Sequence, residues 1–235
     1  MVQVTANTPY VTLRFKFKKL GKLQYISHLD LVRTMNKIIV RAKLPLWYSE
    51  GFNPKPKMIF AAPLSIGTES VCEFMDIRLT ERVDPALAMA RLNENMTDEM
   101  QVLEAYYPTT KLTDMVWLKY TMAIDTIGAD ERMARDVEAA LLDTTVMVDK
   151  KTKPGEPTKT VDIRPQIKSC ECKCSNSRLV PECVLSADAS SFLNPEYIIK
   201  ALRNKCGILS SPDITSEGYT IMREEAYKSD MTLFT

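Results

Sequence analysis

Glycine is scarce in this chain, with seven in 235 residues. None of the phosphate-cradling arrangements built on it is present, neither a Walker loop nor a G-x-G-x-x-G turn, and a G-x-S-x-G nucleophile elbow is missing as well. Histidine is scarcer still: His28 stands alone, so any histidine-based acid, base or metal chemistry has to pass through one side chain. Six cysteines, Cys72, Cys170, Cys172, Cys174, Cys183 and Cys206, lack the dispersed spacing of a disulfide-stapled secreted scaffold, and free thiols are expected. No C-x-x-x-C-x-x-C occurs, which removes the usual iron–sulfur signature of a radical S-adenosylmethionine (SAM) enzyme, and no cofactor is assigned. Apolar runs long enough to span a bilayer and a charged-then-apolar leader are also missing, so a cytoplasmic protein with no membrane partner is expected.

What the chain does have is unevenly placed charge. The formal net charge is +1, yet between Tyr10 and Phe60 eleven Lys and Arg residues stand against Asp30 and Glu50, leaving +9 on that segment and −8 on the remainder. Such polarity points to an anionic partner for the first part of the chain.

Alternation of apolar and polar residues predicts a strand over Val11 to Lys18, with Leu13, Phe15 and Phe17 buried and Thr12, Arg14, Lys16 and Lys18 on a cationic side. Ser27 followed three residues later by Asp30 has capping-box spacing and opens a helix from His28 to about Ala42. On it Leu31, Met35, Ile38 and Ala42 form an apolar stripe, while Arg33, Lys37 and Arg41 recur at i, i+4 and i+8. Strands follow over Met58 to Leu64 and Val71 to Leu79. A helix capped by Asp84-Pro85 runs to about Met96, with Leu87, Leu92 and Met96 inward, and a last strand covers Gln101 to Tyr107. After a linker at Pro108 to Asp114 the order begins again. A strand around Leu118 to Ile124 and a helix over Asp130 to Leu142 lead to a hairpin turning at Pro154-Gly155-Glu156-Pro157. A cysteine-bearing hairpin, a helix capped by Asn194-Pro195 and closed near Gly207, and a strand over Tyr219 to Tyr227 complete the second round. The expectation is α+β: two tandem ferredoxin-like (βαββαβ) units, residues 10–108 and 115–230. Each is an antiparallel sheet with helices on one face, and the second has an extra hairpin.

Between the first helix and its next strand lies the least ordinary stretch, Tyr48-Ser49-Glu50-Gly51-Phe52-Asn53-Pro54-Lys55-Pro56-Lys57. Its prolines fix φ and bias Asn53 and Lys55 toward extended backbone, so a stiff loop is expected. Two readings fit it, a recognition surface and a packed turn anchored on Phe52. With Lys16, Lys18, Lys19, Lys22, Arg33, Lys37, Arg41, Lys43, Lys55 and Lys57 supplying charge, Tyr25, Trp47, Tyr48 and Phe52 supplying stacking platforms and Asn53 beside them in the loop, the basic group is a candidate nucleic-acid surface. A solvated basic face is the alternative. Cys170, Cys172 and Cys174 share one side of a strand, with Cys183 across the hairpin. Same-face strand positions lie about 6.8 Å apart, wider than a zinc site's sulfurs, so packed thiols rather than a metal site are expected. Asp162 and Arg164 flank a turn where a local salt bridge is expected.

Several strings together resemble a known family. They are Ile26-Ser27-His28-Leu29-Asp30-Leu31, Leu44-Pro45-Leu46, the Tyr48 to Pro56 loop, Pro63-Leu64-Ser65-Ile66-Gly67 with Glu69-Ser70, Glu73 to Asp76 and Asp162-Ile163-Arg164-Pro165. The resemblance is to the uncharacterised radical SAM-linked protein family, a bacterial domain fused to a radical SAM protein or encoded beside one. It implies an accessory module with a radical SAM partner, acting on RNA (tRNA or rRNA), and supplies no catalytic residue. Where other members have His or Arg between the two loop prolines, this chain has Lys55. Two alternatives stay open at this point: a metal-independent endoribonuclease-like enzyme with His28 as its candidate catalytic base, and a protein-binding scaffold.

Overall fold

A computed structural model describes residues 10–150, 157–212 and 215–235. The chain is α+β, with four α-helices among the described residues. It divides into two compact units, one holding residues up to Asp114 together with Leu233–Thr235, the other Met115–Thr232. No described helix is long and apolar enough to cross a membrane.

The first unit is built from β1 (Val11–Lys19), α1 (His28–Arg41), β2 (Met58–Phe60), β3 (Thr68–Leu79), α2 (Pro85–Asn93) and β4 (Val102–Tyr106). β1 pairs antiparallel with β3 on one side and β4 on the other, and β2 pairs with β3 at Met75–Ile77, giving the order β4-β1-β3-β2. Leu13, Phe15 and Phe17 of β1 and Met75, Ile77 and Leu79 of β3 form one buried surface with Leu31, Met35, Ile38 and Ile39 of α1 and Ala88 and Leu92 of α2. Both helices therefore cover the same face of the sheet, and each large side chain buried there contributes about 1.5–3 kcal/mol. Helix starts follow the local sequence. Ser27 Oγ accepts the Asp30 amide at 3.1 Å, and the Asp84 carboxylate accepts the Ala86 amide at 3.1 Å with Pro85 in the first turn.

Three expectations for this unit need correction. The second strand ends at Phe60 rather than Leu64. α2 stops at Asn93, and Leu87 is exposed, because Ala88 and Leu92 at i and i+4 set the inward face and Leu87 lies well round the helix from it. The far face of β1 is not a cationic, solvated side: Arg14 is fully buried there. Its register partner Asp76 takes Nε at 2.7 Å and Nη2 at 3.0 Å, Thr110 takes Nη1 at 2.9 Å, and the Phe234 ring lies 4.9 Å from the guanidinium carbon. Thr110 belongs to the stretch expected as a linker, and that hydrogen bond ties it to the sheet.

The second unit contains β5 (Trp117–Asp125), α3 (Glu131–Leu142), β6 (Met147–Lys150), β7 (Lys159–Asp162), β8 (Ile167–Ser175), β9 (Arg178–Ser186), α4 (Glu196–Cys206) and β10 (Gly218–Tyr227). Its sheet has the order β10-β5-β9-β8, all antiparallel, and β6 and β7 form a separate two-stranded hairpin. Residues 154–156 of the expected turn between them lie outside the described residues. Asn176 and Ser177 both have positive φ, +50° and +57°, as a two-residue hairpin turn requires. Gly207 ends α4 with φ +64°. The Asp162–Arg164 salt bridge is not formed. Asp162 instead accepts the amides of Val146 (2.8 Å) and Arg164 (2.9 Å), while the Arg164 guanidinium donates to the Ile167 carbonyl at 2.7 Å.

Candidate nucleic-acid interface

Along α1 the buried residues Leu31, Met35, Ile38 and Ile39 occupy one stripe, which turns Arg33, Lys37 and Arg41 outward, all three exposed. Eight residues of helix set the ends of this cationic row about 12 Å apart. Arg33 pairs with Asp30 at 3.3 Å, and the Ser27 hydroxyl, more than Arg33, holds the Asp30 carboxyl below its ordinary value, so that charge is partly neutralised. Lys37, Arg41 and the adjoining Lys43 are exposed and make no ion pair among the described residues.

Seven residues beyond Arg41 the aromatic loop begins. Its stem closes like a hairpin: the Lys57 amide donates to the Trp47 carbonyl at 3.2 Å, Tyr48 bridges Pro56, the Ser49 amide donates to the Lys55 carbonyl at 2.9 Å, and the Lys55 amide donates to Ser49 Oγ at 3.1 Å. The base is tied to β3 on both sides, with Trp47 N–H to the Arg78 carbonyl (2.9 Å) and Arg78 N–H to the Lys57 carbonyl (3.0 Å). Beneath it Arg78 stacks 4.0 Å over Tyr10 and 5.7 Å over Trp47. What remains is a five-residue tip, Glu50-Gly51-Phe52-Asn53-Pro54, entirely exposed, with Gly51 at φ +117°. Phe52 has a relative exposure of 111%, which removes the reading of a turn anchored on that ring; Tyr48 is 42% exposed and Lys55 and Lys57 are exposed.

The stem sits at the end of the first unit where α1 finishes, since Leu46 bridges Leu79 and Thr80 N–H donates to the Pro45 carbonyl at 2.8 Å. One end of the unit thus gathers Arg41, Lys43, Tyr48, Phe52, Asn53, Lys55 and Lys57, with Lys37 and Arg33 running back along the helix. The other expected residues are placed elsewhere, and Lys19 is buried in β1. Lys22 and Tyr25 lie on the 3-10 turn before α1, one helix length or about 20 Å away. Lys16 and Lys18 project from the face of β1 opposite to α1, and Lys16 is engaged by Glu104 at 2.9 Å. The single patch expected from the sequence is therefore divided by the sheet.

His28 is exposed and rests edge-on against Phe60, with ring centres 5.5 Å apart. Among the described residues it makes no hydrogen bond, whereas a general base is oriented by one. Trp47, expected as a platform for a base, is instead packed with Tyr10 and Arg78 under the loop, a stack whose members are scattered along the chain. Sequence reasoning also overlooked the exposed apolar side chains Leu29, in the first turn of α1, and Ile66, whose neighbour Gly67 donates its amide to the Gln24 carbonyl beside Tyr25. Apolar residues at positions turned away from α1's core stripe were the available signal.

The first unit is thus an α+β fold with a cationic helix and an exposed aromatic loop. A family model described as an uncharacterized protein conserved in bacteria (DUF2344) matches residues 12–195; the chain belongs to that family. Among curated proteins there is no match.

Proposed function

We propose that the first unit binds RNA at the end where α1 meets the aromatic loop. Unpaired bases stack on Phe52 and Tyr48, and Lys37, Arg41, Lys43, Lys55 and Lys57 take the phosphates. The observation that carries this reading is Phe52, a wholly exposed ring on a loop whose stem is hydrogen-bonded and tied to β3. An exposed aromatic held in place loses little conformational freedom when a base stacks on it, and base stacking tolerates any sequence. Lys16 and Lys18 lie outside this surface.

Two finer readings accompany it. Each unit is taken as ferredoxin-like, supported by the matching strand orders β4-β1-β3-β2 and β10-β5-β9-β8, the second with the β6–β7 hairpin inserted. The protein is taken as the accessory module of a radical SAM partner that modifies tRNA or rRNA, which rests on the resemblance of the Ser-His-Leu-Asp and Tyr-Ser-x-Gly-Phe-Asn-Pro strings. Titrating a labelled single-stranded oligoribonucleotide with the protein at several salt concentrations tests RNA binding. Affinity is expected to fall linearly on a log–log plot against salt, because phosphate contacts release counterions; no salt-sensitive binding at micromolar protein rejects the reading.

A further inference from the structure

In the second unit two thiols face each other across adjacent strands. The β8–β9 register sets Cys170 directly opposite Cys183, and the Cys183 thiol donates to Cys170 Sγ at 3.1 Å. The backbone identifies the kind of pair. The Cys172 amide donates to the Glu138 carboxylate of α3 at 3.1 Å, and so points away from β9. Residues two apart in a strand aim their amides to the same side, so Cys170 also turns its backbone away from β9 and shares no ladder bonds with Cys183. Pro181, opposite Cys172, has no amide to give β8, which agrees with that assignment. Directly opposed residues without ladder bonds have Cα atoms about 4.5 Å apart, inside the 4.4–6.8 Å span that a disulfide bridges. Joining the sulfurs therefore needs rotation about the side-chain bonds and no shift of either strand.

All six cysteines are free thiols, and this pair is the one held in register with sulfurs in contact. Both residues are buried, Cys170 at 3% exposure and Cys183 at 0%. The hydrogen bond to Cys170, and then burial, push the Cys183 thiol well above its ordinary range. Bulky reagents are excluded by that burial, whereas a small neutral oxidant reaches the pair when the sheet edge opens briefly.

We propose that Cys170 and Cys183 form an oxidant-sensitive dithiol that a hydroperoxide converts into a cross-strand disulfide. In the first step the Cys170 sulfur attacks one oxygen of hydrogen peroxide. The O–O bond breaks, a sulfenic acid (S–OH) forms at Cys170, and the other oxygen leaves as water with the thiol proton. In the second, the Cys183 sulfur attacks the sulfenic sulfur. The S–S bond forms, the S–O bond breaks, and the hydroxyl leaves as a second water with the Cys183 proton. Two thiols are oxidised by two electrons in all, and one peroxide is reduced to two waters. The product closes the β8–β9 hairpin covalently, and dithiol reagents reverse it by exchange.

Peptide mapping of the native full chain after hydrogen peroxide treatment and alkylation tests this. Lys173 and Arg178 lie between the two cysteines, so trypsin separates them unless a bond joins them. The expected result is loss of two of the six thiols, a linked peptide carrying Cys170 and Cys183, and its disappearance with dithiothreitol. Because Cys172 shares the tryptic peptide of Cys170, the same map on Cys172→Ala must still show the link, while Cys183→Ala must lose it. Linkage through other cysteines, irreversible oxidation of Cys170 without linkage, or a thiol count that stays at six in the folded wild-type protein overturns the proposal.

Discussion

Replacing Phe52 with alanine separates recognition from folding. At a relative exposure of 111% the ring has no packing to lose, so stability should change by no more than about 0.5 kcal/mol, as for any exposed side chain. A base stacked on an aromatic side chain is worth about 1–3 kcal/mol. At about 1.4 kcal/mol per tenfold, removing the ring should weaken binding of a single-stranded oligoribonucleotide by roughly 5- to 140-fold. The assay pairs fluorescence anisotropy with urea denaturation, both on the full chain. Trp47→Ala is the contrasting variant: its ring stacks with Tyr10 and Arg78 under the stem, so it should lose stability as well as affinity. Unchanged affinity in a stable Phe52→Ala protein refutes the stacking argument. A stability loss of about 2 kcal/mol or more in that variant refutes the description of the loop.

Other expectations follow from single contacts. Lys37→Ala and Arg41→Ala should each lower the slope of log affinity against log salt by about 0.7 with stability unchanged, since each removes one phosphate contact from a single strand; a slope unaltered in both variants moves the interface away from α1. Arg14→Ala strands the Asp76 carboxylate, only 13% exposed, and should cost about 3–5 kcal/mol by denaturant titration. Glu217 accepts the Thr126 hydroxyl and the amides of Ser211 and Ile127, which hold its carboxyl below the ordinary 4.5. The folded state favours its ionised form, so this stabilisation is complete above pH 4.5 and is lost as pH falls through the lowered native value. Urea midpoints of Glu217→Gln should fall less than wild type as pH is lowered through that range, and equal losses contradict the assignment.

Much of the fold was legible because its signals are local. Ser27 before His28, Asp84 before Pro85 and Asn194 before Pro195 mark helix starts within a few residues of those observed, and alternation marks β1 and β5. The α1 row of cations was legible for the same reason, since helical spacing alone turns Arg33, Lys37 and Arg41 to one side. What stayed hidden depends on residues distant in sequence. Arg14 looked like a surface cation until Asp76, Thr110 and Phe234 closed over it, and Lys16 until β4 brought Glu104 beside it. Whether Lys16 and Lys37 share a side is a question of which face of the sheet the helices cover, and no spacing along the chain answers it. The exposure of Phe52 was equally out of reach, because Gly and Pro spacing sets a turn but not what packs against its tip.

The claim that matters most is that RNA contacts the loop and the α1 row of the first unit. Photo-crosslinking the full chain to a 4-thiouridine-substituted single-stranded RNA, with the attachment sites read by mass spectrometry, tests it directly. Adducts concentrated between Lys37 and Lys57, led by Tyr48 and Phe52 and suppressed by high salt, are the predicted result. Adducts confined to Lys16 and Lys18 or to the second unit contradict it.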